Sequence, residues 1–576
     1  MKRSLAVACV AVSLLGIACQ SSPRTVLAPG APKNTFDVLI TGGRIVDGSG
    51  APWYRADIGI VGDRITAIGK LGDQTATTKI DASNLIVAPG FIDMLGQSEF
   101  NVLADGRAAS KITQGITTEI TGEGTSIAPL NDRLILRAKT LYDRYKVAQD
   151  FRTLGEYFAR LERTPPAINV GTFVGAGGVR ANVVGDSQRA ATPEELEQMK
   201  TLVGQAMEQG ALGLSTSLQY VPDRFASTDE IVALARIAAR HGGIYISHQR
   251  SESAQIMPSL DEVFAIAERA AIPAEVWHLK TAYQANWGRM ADVLKHFEAA
   301  RARGLDVTAN MYPYDRASNG LDACLPLWVR EGGLEPMLKR LQDPALRERI
   351  KRDMNDANAK DWENQWYGSG GADGVMLSTV SDPSLRKLEG KTLAEIGKEM
   401  SKDPRDAVMD LVIADRGESS VIISIMREDD VRLALSNPLI AIGTDSGARA
   451  EDGPLSESKS HPRAWGSFAR ILGKYVRDDK LISLEEAIRR FTSRPAARVG
   501  IADRGILRPG FKADVTVFDA ARIRDVSTFV DPTHYSEGVM HVLVNGTAVV
   551  SSGKITSERP GQPIRGPGYK AISRVQ

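Results

Sequence analysis

Two histidines and an aspartate close three apolar, strand-like runs. Ile244-Tyr245-Ile246-Ser247-His248 and Ala274-Glu275-Val276-Trp277-His278 each end on an imidazole, and Leu439-Ile440-Ala441-Ile442-Gly443-Thr444-Asp445 ends on a carboxylate. Such side chains meet when parallel strands close into a barrel, because the C-terminal strand ends form one face and carry the active site. Eight strand-like runs fit that scheme: residues 88–93, 117–121, 168–173, 211–215, 244–248, 274–278, 306–310 and 439–445. Helical stretches alternate with them, among them 193–208, 228–240, 260–270 and 289–303. The first of these opens with Thr192 as N-cap, Pro193 at the first helical position and Glu195 two residues later, a capping-box pattern. The alternation predicts an α/β fold, a (β/α)8 TIM-like barrel.

The flanks read differently. Residues 36–88 are strand-rich, with a hairpin turning at Gly62-Asp63, and 513–518 and 541–550 repeat that style near the other end. Neither end is large enough alone, so together they predict a small composite β-sandwich domain built from both termini. The expected division is a signal segment at 1–18, a tether at 19–35, the two β parts at 36–88 and 505–560, a barrel at 89–504 and a tail at 561–576. An insertion at about 320–430 separates the last two barrel strands: 327–359 is charged and helical, 361–371 aromatic and glycine-rich, and 421–426 an extra strand. It reads either as a lid and specificity element or as a packed side domain.

A decorated barrel absorbs most of the 576 residues. The net charge of +1, without a basic stripe, excludes a nucleic-acid footprint. Met1-Lys2-Arg3 and the apolar run 5–18, too short to span a bilayer, form a targeting segment. Gly16-Ile17-Ala18 before Cys19 resembles a bacterial lipoprotein signal, which would lipidate Cys19 and place the protein in the periplasm or on the outer membrane; cleavage after Ala18 is the alternative. Past Cys19 only Cys324 remains, so no internal disulfide is expected and Cys324 reads as a small buried hydrophobe.

His248 and His278 are two of seven histidines, each at a predicted strand end. A catalytic zinc typically takes three protein ligands and keeps one position open. The candidate for the third is Glu123, just past the second strand in Thr121-Gly122-Glu123-Gly124, where flanking glycines permit close approach. Two imidazoles and a carboxylate make one divalent ion, zinc, the expected cofactor, with manganese or iron open.

The chain then resembles the amidohydrolase superfamily, in its D-aminoacylase (N-acyl-D-amino-acid deacylase) branch, over roughly residues 36–555. The resemblance rests on Ala88-Pro89-Gly90-Phe91-Ile92-Asp93, Gln114-Gly115-Ile116-Thr117-Thr118, Gly213-Leu214-Ser215 with Tyr220, Ser247-His248-Gln249-Arg250-Ser251-Glu252, His278-Leu279-Lys280, Tyr312-Pro313-Tyr314, Ile442-Gly443-Thr444-Asp445 and His461-Pro462-Arg463-Ala464-Trp465-Gly466. It implies Asp445 as general base, and Lys280, Tyr220, Tyr312, Ser318 and Arg463 as residues that hold a substrate carboxylate and frame the acyl site. Two departures matter. The family's His-x-His after the first strand is here Leu95 and Gln97, so the metal position that pair builds is expected to be lost. Glu123 stands where the branch tends to have cysteine.

Arg250 and Glu252 read as a supporting pair, and Trp287, Trp362, Trp366 and Tyr367 as candidates for an apolar acyl pocket. His241, His296, His534 and His541 read as surface or packing residues, and His461 as an orienter of Arg463. The expected activity is metal-dependent hydrolysis of an N-acyl amino acid, a small-molecule substrate, with D configuration left open. A dipeptidase or cyclic-amide hydrolase on the same site, and a non-catalytic binding lipoprotein, are the alternatives.

Overall fold

The computed structural model describes residues 26–27, 35–359, 362–456 and 459–571; the targeting segment and Cys19 lie outside them. Eight parallel strands form the barrel: β1 (Phe91–Asp93), β2 (Ile116–Thr121), β3 (Asn169–Thr172), β4 (Gly213–Ser217), β5 (Ile244–His248), β6 (Ala274–Val276), β7 (Val307–Met311) and β8 (Ile440–Ile442). Each coincides with one predicted run. The first run, however, is split at Gly90: Ile86–Pro89 belongs to the β domain and only Phe91–Asp93 to the barrel. β8 returns to β1 through Met94 N–H donating to Ile442 O (3.3 Å) and a parallel bridge between Gly96 and Ser446, which closes the barrel. The helix Pro193–Gln209 carries the predicted capping box on Thr192 and Glu195.

The barrel interior is apolar. Ile92, Leu95, Ile120, Phe173, Ile246 and Trp277 pack there in one cluster, together with Ile564 from the C-terminal tail. The tail runs along β3: Val170 N–H donates to Gln562 O and Ile564 N–H to Val170 O. Leu95 is therefore a core residue, held 1% exposed.

Both termini build one sheet of ten strands, in which the N-terminal strands Thr35–Ile45, Tyr54–Val61 and Arg64–Gly69 meet the C-terminal Val515–Phe518 and Val539–Val544 through Ile86–Pro89. A buried polar knot joins this sheet to the barrel. Asp514 pairs with Arg504, accepts from Asn169 Nδ2 (3.2 Å) on β3 and from Asn545 N–H (2.8 Å), and Asn545 Nδ2 donates to Asn169 Oδ1 (2.8 Å).

Between β7 and β8 the insertion forms its own antiparallel sheet of Arg316–Gly320, Val375–Thr379 and Ser420–Ser424, with the last strand central. The strand expected at 421–426 is that central one. Its partners are carried by Arg-Ala-Ser-Asn-Gly and Val-Met-Leu-Ser-Thr, of which the first has no apolar alternation to reveal it.

Asp514→Ala removes the acceptor for three buried donors, so it is expected to destabilise the protein by about 3–5 kcal/mol. Arg524→Ala, which breaks an ion pair exposed on both sides, is expected to cost at most about 1 kcal/mol. Urea unfolding midpoints of both variants check the contrast.

Candidate active site

The strand ends deliver what the sequence places there. Glu123 follows β2, His248 closes β5, His278 lies two residues past β6 and Asp445 three past β8. His278 and Asp445 both sit at positive φ, 35° and 50°, a conformation that costs energy in non-glycine residues and clusters at functional sites. Glu123 is flanked by Gly122 and Gly124, also at positive φ. A Cβ at Gly122 would lie 2.6 Å from Phe173 O and one at Gly124 2.2 Å from Ser217 Cβ, so both must be glycine.

Glu123 Oε1 is the meeting point. His248 Nδ1 lies 2.9 Å from it and His278 Nε2 3.0 Å, with the two rings in T-shaped contact at 4.5 Å. One donor atom from each of these three residues lies within 4.8 Å of the others. The outer nitrogens are engaged elsewhere: His248 Nε2 meets Gln219 Oε1 at 2.7 Å, and His278 Nδ1 meets Glu252 Oε1 at 2.9 Å and Lys280 Nζ at 2.7 Å. Each imidazole is thus turned so that one nitrogen faces Glu123, as ligand-bearing histidines are held by a second hydrogen bond. Two imidazoles and an anionic oxygen, all buried or nearly so, fit a divalent ion of the zinc type.

Burial alone would raise the Glu123 carboxyl, but hydrogen bonds from His248 and His278 hold it well below the ordinary range. Burial and Lys280 push His278 down, whereas Glu252, Asp445 and Glu123 outweigh them and raise it to about 9. Burial raises Asp445 despite the opposing charges of Arg463 and His278. Asp445 is gripped on both sides: Oδ2 lies 2.6 Å from Arg463 Nη1, and Oδ1 accepts from Gln97 Nε2 at 2.9 Å.

The residues implied for substrate binding surround two spaces that share lining residues. A cavity of about 520 Å³ holds Tyr220, Ser318, Asp445 and Arg463 in its lining, and a small inner one of about 40 Å³ adds Lys280 and Tyr312. Tyr220 packs on His248 and its hydroxyl accepts from Asn319 Nδ2 at 3.1 Å. Arg463 stacks over the Tyr312 ring at 4.7 Å, and its backbone N–H donates to His461 Nδ1 at 3.0 Å. Among the described residues, Arg463 Nε and the Tyr312 hydroxyl are buried without a hydrogen-bond partner.

Lys280 donates to Glu252 Oε1 at 2.6 Å, abuts His278 and lines the small inner space. Two expectations change. Arg250 pairs with Glu262 (2.8 Å), not with Glu252, because Glu252 is drawn to Lys280 and His278. The aromatic residues do not line an acyl pocket. Trp366 is buried in the core, Trp287 donates to Ile425 O, Trp362 lines neither space and Tyr367 is half-exposed; hydroxyls and amides such as Thr125, Asn319, Ser378 and Ser420 wall the large cavity instead. Sequence reasoning missed Gln219 and gave Glu252 the wrong partner; the position of Glu252, four residues past His248 and on the same loop, was the available signal.

A model described as "Amidohydrolase family" matches residues 78–550. The chain belongs to the amidohydrolase family. It is 36% identical to a D-aminoacylase of Alcaligenes xylosoxydans xylosoxydans over 530 residues, 92% of this chain and 97% of that one. Among solved structures it resembles an N-acyl-D-glutamate deacylase of Bordetella bronchiseptica, complexed with zinc and a phosphonate inhibitor (TM-score 0.76, 33% identity, 92% of this chain and 100% of that one). It also resembles a D-aminoacylase whose binuclear metal centre is described by one-metal activation and second-metal attenuation (TM-score 0.75, 32% identity, 92% and 100%). A metal-dependent amidohydrolase site follows from the family and from the three converging donors.

With His278 raised to about 9, the metal-free site carries a proton at pH 7 that a cation must displace. Metal binding at pH 7 is therefore expected to release about one proton, read by calorimetry in two buffers of different ionisation heat. The same proton stabilises the metal-free fold fully below the unfolded value of 6.5, and that contribution disappears as pH rises through about 9.

Proposed function

We propose that this amidohydrolase uses one divalent ion, zinc, held by Glu123, His248 and His278, to hydrolyse the amide bond of an N-acyl-D-amino acid, giving a carboxylate and the free amino acid. The observation that carries the reading is the juxtaposition of a buried, raised carboxyl at Asp445 with the three-donor cluster and with unpartnered buried donors on Arg463 and Tyr312. The relatives named above, an N-acyl-D-glutamate deacylase and two D-aminoacylases, support the D configuration. The exported placement and a lipid at Cys19 belong to the same proposal and rest on the residues around Ala18-Cys19.

A divalent ion bound there supplies Lewis acidity toward the scissile carbonyl and makes water more acidic. The remaining work falls to side chains. Asp445 accepts the proton of the attacking water and returns it to the departing amine, a task suited to a carboxyl whose affinity for protons burial has raised. Arg463 Nε and the Tyr312 hydroxyl offer donors to the substrate carboxylate, since a buried donor gains most from an anionic acceptor. Glu252 and Lys280 fix the His278 ring, and Gln219 fixes that of His248.

Asp445→Asn is expected to lower kcat at least 10³-fold while metal content stays at the wild-type level. Turnover of N-acetyl-D-amino acids and their L enantiomers, followed by released amine with elemental analysis alongside, tests the reading. A metal-free wild type, or equal turnover of both enantiomers, would sink the one-zinc or the D-specific part respectively.

A further inference from the structure

Gln97 occupies the place where a histidine ligand stands in the resembled family, yet it does not behave as a spare residue. Its Nε2 lies 3.0 Å from Glu123 Oε2 and 2.9 Å from Asp445 Oδ1. Both neighbours are carboxylate oxygens that only accept, so the amide nitrogen must face them and the amide oxygen must face away. Gln97 therefore offers no oxygen to a metal between those carboxylates. Leu95, its companion, is locked in the barrel core, and a Cβ at Gly443 would lie 2.7 Å from its own Cβ.

We propose that Gln97 is a positioning residue for the deacylation reaction: its amide nitrogen ties the second oxygen of the ligand Glu123 to the near oxygen of the base Asp445. Arg463 holds the other oxygen of Asp445, so the base is fixed from two sides in the lining of the large cavity. The bridge is neutral, which ties two carboxylates together without adding charge or a second metal. The inference rests on the proposed deacylase reading, and a wild type that binds no metal or hydrolyses no N-acyl amino acid would fail that reading before any variant is made.

Two variants test it. Gln97 faces the cavity rather than the core, so neither change disturbs packing. Gln97→Ala is expected to keep one metal per chain and an unchanged absorption spectrum with cobalt in place of zinc, while kcat falls at least tenfold and KM stays within about threefold. Gln97→Glu has the same shape but replaces the donor by an acceptor; it is expected to take up a second zinc at micromolar excess, with lower kcat, where the wild type is expected to hold one. Loss of the single metal or an altered cobalt spectrum in Gln97→Ala would make Gln97 a ligand and overturn the proposal. So would a rise in KM with kcat preserved, which marks a substrate contact, or a Gln97→Glu protein with one zinc and wild-type kcat.

Discussion

One carboxylate shared between two imidazoles sets the terms for the rest of this structure. Glu123 reaches from just past the end of β2 across the barrel mouth to the histidine that closes β5 and the one just past β6, and it can do so only because Gly122 and Gly124 let the chain turn without side chains. A buried carboxylate is costly unless it is fully hydrogen-bonded or holds a cation. The strand ends, their strained backbones at His278 and Asp445, and the supporting shell of Gln219, Glu252 and Lys280 all serve to keep that group satisfied.

The eighth strand is aligned to that centre by a second buried cluster. Asp93, at the end of β1, accepts from Thr444 N–H (2.8 Å) and the Thr444 hydroxyl (2.6 Å), and Lys111 donates to Asp93, to Thr444 and to Ser446 O. Glu119 neutralises the same lysine at 3.1 Å, and its side chain fills the space beside Gly96, where a Cβ would lie 1.8 Å from Glu119 Oε1. This seam closes the barrel and, by clasping the residues on either side of it, holds Asp445 at its left-handed φ. The aspartate of Gly-Phe-Ile-Asp thus acts on Asp445 through the backbone of Thr444.

Much of this was legible in the sequence because it is periodic or local. The eight strands show as short apolar runs, the helix after residue 192 shows through its capping box, and His248, His278 and Asp445 show because they end such runs. What was not legible depends on partners distant in sequence. Glu252 could pair with its neighbour Arg250 or with Lys280, 28 residues away, and only the folded loop decides. The strand Arg316–Gly320 carries no alternating pattern, being half-exposed along its whole length, so its role as a cavity wall appears only once Ser420–Ser424 pairs with it. The tryptophans signal apolar surface but not which surface; Trp287 ties the barrel side to Ile425 of the insertion, Trp366 packs into the core, and the cavity is left with a polar lining.

Charge balance gives a reason for that arrangement. Glu123, Glu252 and Asp445 face Lys280, Arg463 and His278, so three acidic side chains are matched by three basic ones. Exchanging one proton for a divalent ion leaves a single excess positive charge beside a cavity that holds unpartnered donors on Arg463 and Tyr312. One carboxylate on the substrate cancels it. A second divalent ion would leave three positive charges in a buried site, where uncompensated charge is expensive. A neutral amide at Gln97 holds the same two carboxylates together at no cost in charge, and so leaves the anionic substrate as the group that completes the balance.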